Sequence, residues 1–364
     1  MPAQAWNIGL GERFLSLLPN EKRQKKARSL GFFEAGAAAR SSWTLEAMWS
    51  GVLFALAAGL MWGLVFVAPL LLPDYPAAPL VVGRYLAFGL LALPLALIDR
   101  RVLRELTRAD WWEAAKLSAI GNFLYYLCLA AAIQRAGGPL PTVIIGTLPV
   151  VIAISSNLRD HRRDGRLPWL KLLPALALIA AGIACVNQTE LAGLGGGGSL
   201  RRYIEGAALA VVAVACWTWY PIRNADWLRA HRDRSPRAWA TAQGLVTLPM
   251  ALLGLAALAL TQDLTLPEGF SLPFGPRPAA FIALMAAIGL FASWLGTLCW
   301  NEASQRLPTS LVGQLIVFET LSALAYAYAL SAQLPAGLTW LGIGLLMAGV
   351  SLALRIRPQR IAAG

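Results

Sequence analysis

The sequence predicts an all-α, polytopic membrane protein whose ten transmembrane helices form two inverted five-helix repeats. Three observations support this fold class. Of the 364 residues, 57% are hydrophobic and 14% are charged, whereas a soluble domain has about 25% charged residues. The apolar residues fall into ten runs, each close to the roughly 20 residues that a membrane helix needs. The two halves of the chain also resemble each other weakly in sequence.

Residues 1–47 differ from the rest of the chain. They contain a polar run from Glu21 to Arg28 and a low-complexity stretch over 36–42. They lack the succession of basic region, apolar region and cleavage site that defines a signal peptide. We expect a disordered cytoplasmic extension; a short amphipathic helix over 10–18, or a natural start at Met48, are the alternatives.

Ten apolar runs follow, and they are numbered here as spans 1 to 10. Turn-forming residues separate them, such as Pro73-Asp74-Tyr75-Pro76 before span 2 and Gly137-Gly138-Pro139 before span 4. The predicted spans are 50–72, 77–98, 113–134, 139–158, 169–188, 204–224, 238–260, 278–300, 309–330 and 336–355.

Short motifs repeat between the two halves. Leu127–Arg135 in span 3 matches Leu298–Arg306 in span 8 at five of nine positions, and Trp62 in span 1 aligns with Trp217 in span 6. Because each half has an odd number of spans, the second half is inverted relative to the first, as in many transporters. The expected divisions are the extension 1–47, the repeats 48–194 and 204–356, the Gly-rich linker 195–203 and a cytoplasmic tail 357–364.

Lysine and arginine are distributed unevenly between the two sides of the predicted membrane. Of 31 basic residues, 26 fall on one side and four on the other, and Arg84 lies inside span 2. Basic loops stay in the cytoplasm, so both termini are expected on the cytoplasmic side. The protein itself is expected in the cell (inner) membrane. The net charge of +12 therefore reflects orientation, and no nucleic-acid partner is expected. An inner aromatic belt is predicted from Trp49, Trp111, Trp112, Trp169, Trp227 and Trp239.

Several motifs are similar to those of a known family. They are Ala57-Ala58-Gly59-Leu60-Met61-Trp62-Gly63 in span 1, Arg84 in span 2, Pro149 in span 4 and Trp300-Asn301 at the end of span 8. Over about residues 48–356 the chain resembles the drug/metabolite transporter superfamily, specifically its ten-helix EamA-type members. The resemblance implies similarity to bacterial amino-acid and metabolite exporters, and a central cavity lined mainly by spans 1, 3, 4, 6, 8 and 9.

Glu319 is the main candidate for ion coupling. It lies about ten residues into span 9, roughly 15 Å from the end of that span, and the sequence repeat aligns Glu319-Thr320 with Leu148-Pro149 of span 4. Many members of the family have an apolar, proline-bearing segment there, so the chain departs from the pattern. An ionised carboxylate at that depth costs several kcal/mol unless it is paired or hydrated. Glu319 is predicted to bind a proton or a substrate ammonium group; a neutral, hydrogen-bonded glutamic acid is the alternative.

Arg84 is the one basic residue deep inside a predicted span. Two interpretations compete for it. It is a counter-ion for Glu319 or for a substrate carboxylate, which a guanidinium holds through two parallel hydrogen bonds. Alternatively, it is a structural clamp on backbone carbonyls near the outer face.

Further candidates for a substrate cavity follow from helical spacing and from the repeat. They share polar or aromatic side chains on faces expected to point into the bundle, where such groups suit an organic solute; hydrogen bonding between helices is the alternative. Trp62 and Trp217 are expected to face each other across the pseudo-two-fold axis. The predicted cavity residues are Trp62, Asn122, Tyr125, Tyr126, Trp217, Trp300, Asn301, Gln314 and Phe318.

These features predict a secondary active transporter that exports small organic metabolites, either amino acids or amphiphilic compounds, by alternating access. The expected partners are a small-molecule substrate, the lipid bilayer and protons, with no cofactor and no metal. Import of similar solutes and a non-transporting scaffold or sensor are the alternatives. A membrane-embedded enzyme is not expected. Such an enzyme needs a base beside a nucleophile, or a metal site, whereas both histidines, His161 and His231, lie in basic loops and no pair of acids lies deep in a predicted span.

Overall fold

The computed structural model describes residues 45–137, 139–159, 168–193, 200–307, 309–332 and 334–356. Over these ranges the chain is helical and contains no strand, which confirms the all-α prediction. Within the described ranges, seven helices are long and apolar enough to cross a membrane, and two shorter apolar helices, Trp169–Cys185 and Gly337–Ala353, occupy spans 5 and 10. The described part of Trp49–Gly364 belongs to one compact unit. The predicted extension and tail lie almost wholly outside the described residues.

All ten predicted spans contain helix, and several consist of more than one segment. Spans 2, 5, 6, 7 and 10 are single helices, Ala77–Arg104, Trp169–Gly193, Leu200–Ala230, Pro236–Thr265 and Gly337–Leu354. Span 1 consists of Leu45–Gly63, a 3₁₀ turn Leu64–Phe66 and Val67–Leu71. Span 3 consists of Arg108–Leu117, Ser118–Leu124 and Tyr125–Ala136, and span 4 consists of Pro139–Ile145 and Leu148–Arg159. Span 8 consists of Pro278–Ile288, Gly289–Leu295 and Gly296–Arg306, and span 9 consists of Thr309–Leu315 and Val317–Ser331.

Spans 3 and 8 share an unusual backbone feature. Each contains a seven-residue π-helical segment, Ser118–Leu124 in span 3 and Gly289–Leu295 in span 8. The segments begin 171 residues apart, which is the same shift that relates Leu127 to Leu298 in the sequence match. The weak sequence repeat therefore corresponds to a repeated backbone geometry. Because π-helical segments are rare and occur frequently at functional sites, these two segments are candidates for a functional role.

Spans 4 and 9 are both interrupted by a tight turn. The Val150 N–H donates to the Thr147 carbonyl and the Glu319 N–H donates to the Ile316 carbonyl, each at 3.0 Å and each spanning three residues. Glu319 is therefore equivalent to Val150, and the alignment that pairs Glu319 with Leu148 is wrong by two residues. The shift arises because two residues fewer lead from span 8 into span 9 than from span 3 into span 4.

Spans 5 and 10 pack along each other through reciprocal glycine contacts. A Cβ added at Gly182 would lie 2.7 Å from the Gly342 carbonyl oxygen and 2.9 Å from Leu346 Cγ. A Cβ added at Gly349 would lie 2.8 Å from the Ala175 carbonyl oxygen and 2.8 Å from Ile179 Cγ1. One constant shift along the chain relates Gly182, Ala175 and Ile179 to Gly349, Gly342 and Leu346. Such reciprocity is what a pseudo-two-fold axis between inverted repeats produces.

Spans 2 and 7 cross in the same reciprocal way. Gly89 lies against the Leu248 backbone, and its counterpart Gly244 lies against Ala92 Cβ, 2.7 Å from where its own Cβ would be. Small residues let helix backbones approach closely within a membrane. Span 2 also packs against the π-helical segment of span 8, and span 7 packs against that of span 3.

The predicted aromatic belt is partly wrong. Trp49 and Trp112 are exposed, as side chains of a lipid-facing belt should be, but Trp227 and Trp239 are buried. The rings of Trp227 and Trp239 stack with centroids 3.4 Å apart, and the Trp239 indole donates to Asn224 Oδ1 at 2.8 Å. Tryptophan suits both an interface and a polar pocket in a core because it combines a large apolar ring with one donor.

Candidate functional site

The carboxyl group of Glu319 lies at the centre of the candidate site. It follows directly on the turn that interrupts span 9, and its side chain is 1% exposed. The Tyr125 hydroxyl of span 3 lies 3.4 Å from Glu319 Oε1, and the Trp217 indole N–H of span 6 lies 3.3 Å from Oε2. Both neighbours are donors, so each oxygen of a carboxylate has a partner, through hydrogen bonds at the long end of the usual range.

Aromatic rings enclose this carboxyl group. Trp217 stacks between Tyr125, with centroids 4.6 Å apart, and Tyr220, with centroids 4.9 Å apart. Trp62 meets Trp217 edge-on at 4.9 Å, as predicted from their equivalent places in the repeat, and it also contacts Trp300 at 5.0 Å. These five residues are called the aromatic cluster below. All are buried, so this conformation is closed around Glu319.

Glycines of span 1 and span 8 make the close packing feasible. A Cβ at Gly59 would lie 3.0 Å from the Glu319 backbone nitrogen and 3.1 Å from Phe318 Cβ. A Cβ at Gly296 would lie 2.8 Å from the indole nitrogen of Trp62, which donates to the Ala292 carbonyl at 2.9 Å. The Ala57–Gly63 motif therefore brings span 1 against the interrupted part of span 9.

Two of the predicted cavity residues carry buried polar atoms that are not hydrogen-bonded. Trp300 Nε1 and Gln314 Oε1 are buried and have no hydrogen-bond partner among the described residues. Phe318 is half-buried beside Gly59. Unpaired buried polar groups cost about 1–3 kcal/mol each, so a bound solute that pairs with them would be stabilised.

Arg84 contacts spans 3 and 8 from span 2. Its Nε donates to Ser293 Oγ at 2.9 Å, and its guanidinium carbon lies 4.5 Å from the ring centroid of Tyr126 and 5.0 Å from that of Tyr85. Arg84 is 4% exposed, and its Nη1 has no partner within the described part of the chain. Among the described residues it donates to a side chain of span 8 and to no backbone carbonyl.

The remaining predicted cavity residues have diverse surroundings. Asn122 is buried in the π-helical segment of span 3, and the Tyr126 hydroxyl donates to the Val65 carbonyl at 3.4 Å. Asn301 is fully buried, accepts from Asn224 at 2.8 Å and donates to the Pro236 carbonyl at 3.2 Å. Both functional groups of the Asn301 amide thus join spans 6, 7 and 8 to one another.

Four residues of the site were not predicted from the sequence. Tyr220 extends the aromatic cluster and donates to Gln243 Oε1 at 2.8 Å, and Gln243 donates to Asn224 Oδ1 at 3.2 Å. Ser293 holds Arg84. A usable signal existed for two of them: Tyr220 lies three residues after Trp217, on the same helix face, and Ser293 is the repeat equivalent of Asn122.

Charged residues lie at both ends of the bundle, away from Glu319. At the end where spans 3 and 6 meet basic loops, Arg223 binds Glu113 through two hydrogen bonds. Both side chains line a pocket of about 460 Å³. At the opposite end, Arg277 binds Asp74 through Nε at 3.0 Å and also through Nη2. Hydrogen bonds from Arg277 hold the pKa of Asp74 below its usual value of 3.8.

The surface also carries an apolar groove between spans 2 and 8, with a volume of about 560 Å³. It is lined by side chains such as Leu86, Leu90, Phe281 and Met285. Within the described ranges, no group of three histidine, cysteine, aspartate or glutamate side chains is placed to hold a metal ion.

Comparison with known proteins places this architecture in a family. A family model described as the EamA-like transporter family matches residues 49–188. The chain is 54% identical over 313 residues to "Inner membrane protein YtfF" of Escherichia coli (strain K12), which covers 86% of this chain and 97% of that protein. A solved structure described as "Crystal structure of protein" has the same fold at 19% identity, with a TM-score of 0.62 over 84% of this chain and 96% of that one. The chain therefore belongs to the EamA-like transporter family.

Proposed function

We propose that this protein is a secondary active transporter of the inner membrane that exports small organic solutes by alternating access. The observation that carries the proposal is the buried Glu319 carboxyl group, which lies beside the interruption of span 9 and inside the aromatic cluster. Interrupted helices near the middle of the membrane are the usual location of substrate and coupling-ion sites in secondary transporters. The inner-membrane location follows the relative that is 54% identical.

Glu319 is the proposed coupling residue. An ionised carboxylate in the membrane interior is costly unless it is paired or hydrated, and Tyr125 and Trp217 supply only two donors for it. When the site opens to one side, water or a cationic group reaches the carboxylate; when the site closes, a proton or the solute must balance its charge. A proton bound from outside and released inside would thereby drive a solute outward.

The aromatic cluster is the proposed solute-binding surface. Indole and phenol rings bind organic rings by stacking and bind ammonium groups through the cation–π interaction. Trp62, Trp217 and Trp300 would contact the body of the solute, and the unpaired Gln314 Oε1 and Trp300 Nε1 would bind its polar atoms. Tyr125 is part of this surface, and Phe318, Asn122, Tyr126 and Asn301 are proposed lining or positioning residues around it.

The two proposed repeats, 48–194 and 204–356, would exchange conformations to open the site to alternate sides. The reciprocal packing of Gly182 and Gly349 supports such an exchange, because equivalent contacts allow each half to adopt the arrangement of the other. In this scheme both termini, the extension 1–47 and the tail 357–364 are cytoplasmic.

Counterflow into proteoliposomes tests the proposal. Labelled aromatic and aliphatic amino acids and amphiphilic amines are offered at pH 6 and pH 8 to the wild type, to Glu319→Gln and to the control Glu205→Gln. Glu205 is a partly exposed carboxylate that pairs with Arg201 at 2.9 Å, so its replacement removes a charge outside the site.

We expect saturable uptake that depends on pH, is lost in Glu319→Gln and persists in Glu205→Gln. Uptake by Glu319→Gln with an unchanged pH dependence would contradict the coupling role. Absence of exchange for every compound by folded wild-type protein would contradict transport of this solute class and favour a scaffold or sensor.

A further inference from the structure

Arg84 is a buried cation with incomplete pairing. One nitrogen donates to Ser293, and the face of the guanidinium lies over the rings of Tyr85 and Tyr126. No carboxylate forms an ion pair with Arg84 among the described residues, and Nη1 is buried without an acceptor. Glu319 lies within electrostatic range of this charge but forms no ion pair with it. A buried charge with incomplete pairing is costly, so the guanidinium retains hydrogen-bonding capacity for a further acceptor.

Tyr85 adds a second unused donor at the same place. It follows Arg84 directly in the chain, and its hydroxyl group is buried and has no hydrogen-bond partner in the described ranges. Its ring lies 5.0 Å from the guanidinium carbon of Arg84. By contrast, the Tyr126 hydroxyl on the other side of Arg84 donates to the Val65 carbonyl. A positive charge and two free donors at one place match an oxyanion.

The equivalent position in the second half does not need a charge. The shift that relates Gly89 to Gly244, and Pro94 to Pro249, makes Trp239 the counterpart of Arg84. The Trp239 indole N–H is paired with Asn224 at 2.8 Å. The fold therefore completes this position with a neutral, fully paired side chain in one half, and packing alone does not explain the arginine in the other.

We propose that Arg84 and Tyr85 form an anion-binding subsite that holds a carboxylate group of the transported solute. This inference rests on the proposed transport function. The subsite adjoins the aromatic cluster, because the Tyr85 ring contacts Tyr126 and the neighbouring Tyr125 contacts Glu319. Arg84 lies seven residues into span 2, about 10 Å from its outer end. A carboxylate bound there leaves the rest of the solute on the aromatic cluster.

Acid–amide pairs of compounds test the subsite because the two members of each pair differ only in the carboxylate group. Phenylalanine with phenylalaninamide, leucine with leucinamide, and benzoate with benzamide are titrated onto purified protein, and binding is measured from the shift of the thermal unfolding midpoint. Chloride and inorganic phosphate at matched ionic strength reveal whether any small anion suffices. The variants are Arg84→Gln, Arg84→Lys and Tyr85→Phe. The control Arg277→Gln removes a positive charge near the chain turn that precedes span 8.

We expect the wild type to bind at least one acid about tenfold more tightly than its amide, which is the effect of one charge-assisted pair. Arg84→Gln abolishes the preference, Arg84→Lys retains about a third of it or less because it lacks the planar fork, and Tyr85→Phe reduces it several-fold. Arg277→Gln keeps the wild-type preference. If Arg84→Gln does not fold, Arg84→Lys and Tyr85→Phe decide the question.

Three results would overturn the subsite: equal binding of acid and amide by the wild type, binding of neither, or an unchanged preference in the Arg84 and Tyr85 variants. Competition by chloride or phosphate as strong as that by the acids would assign the site to small anions instead of a solute carboxylate. Counterflow that depends on Glu319 would leave the transport proposal standing in each of these cases. Failure of both measurements would reject both proposals.

Discussion

Trp217 donates its indole N–H to the carboxyl group of Glu319 across 3.3 Å, and this contact joins span 6 of the second half to span 9 at the centre of the bundle. Trp62, the counterpart of Trp217, uses the same N–H for the Ala292 carbonyl of span 8. The two tryptophans therefore occupy equivalent positions but bind different groups, because only span 9 carries a carboxyl group beside its interruption.

The Trp217–Glu319 contact predicts an energetic coupling between the two side chains. Trp217→Phe keeps an aromatic ring and removes the donor, and Glu319→Leu removes the acceptor. Trp217→Phe leaves Glu319 Oε2 without its donor, and Glu319→Leu leaves both the Trp217 indole N–H and the Tyr125 hydroxyl without an acceptor. In the double change only the Tyr125 hydroxyl stays unpaired, so the cycle isolates the Trp217–Glu319 contact. We expect a coupling of about 1 kcal/mol in a double-mutant cycle of denaturant unfolding in detergent.

The matched control for this cycle combines Trp217→Phe with Tyr220→Phe. Tyr220 stacks on Trp217, but its hydroxyl group binds Gln243. The losses of unfolding free energy caused by removing the hydroxyl and by removing the indole N–H should therefore be additive. A Trp217–Glu319 coupling no larger than in this control would mean that the hydrogen bond contributes nothing to stability.

The buried amide of Asn224 predicts a large effect on folding. It accepts hydrogen bonds from Trp239 and Gln243 and donates one to Asn301. Asn224→Leu leaves these three partners unsatisfied, so we expect a loss of about 3 kcal/mol or more in unfolding free energy. Gln262→Leu on the exposed surface of span 7 is the control and should change stability by about 0.5 kcal/mol or less. Similar losses in both variants would contradict a structural role for the amide network.

The sequence was sufficient to predict features that repeat with a constant shift. The match of Leu127–Arg135 with Leu298–Arg306 continues into the paired π-helical segments, and the match of Trp62 with Trp217 anticipated their contact. Apolar length and the distribution of basic residues were enough for the all-helical membrane class. These features can be recognised in the sequence because each of them depends on the spacing of residues within one helix.

Features that depend on distances between helices could not be predicted in the same way. The equivalence of Glu319 and Val150 was missed because the connection before span 9 is two residues shorter, which changes the register without altering either helix. Asn224 and Gln243 were missed because they lie on different spans. The sequence of one apolar span does not indicate which residue of another span will form a hydrogen bond with it. Trp239 was assigned to the interface because an indole suits both environments.

The reciprocal glycines of spans 5 and 10 predict two similar losses of stability. Gly182→Ala and Gly349→Ala place a Cβ against carbonyl oxygens at 2.7 and 2.8 Å, which are backbone atoms and cannot rotate away. We expect each variant to lose about 1–3 kcal/mol, as overpacked cores do. Gly344→Ala on span 10 is the control, because no atom lies within 4 Å of its added Cβ. It should be neutral or gain up to about 1 kcal/mol from helix propensity. Thermal unfolding of the three variants would contradict this packing if Gly344→Ala were the least stable.

The Asp74–Arg277 pair predicts a pH-dependent contribution to stability. Arg277 holds the pKa of Asp74 below 3.8 in the folded state, so the folded protein binds a proton at this site less readily than the unfolded chain does. The stabilisation is therefore fully present above about pH 4 and is lost as the pH falls through the folded-state pKa. Asp74→Asn should unfold at a slightly lower temperature than the wild type at pH 7, because the pair is solvent-exposed and its contribution is small. The two melting temperatures should approach each other as the pH falls below about 4 and converge once Asp74 is protonated in the folded protein as well. A difference that stayed constant between pH 7 and pH 3 would show that the asparagine acts through packing and not through the lost charge.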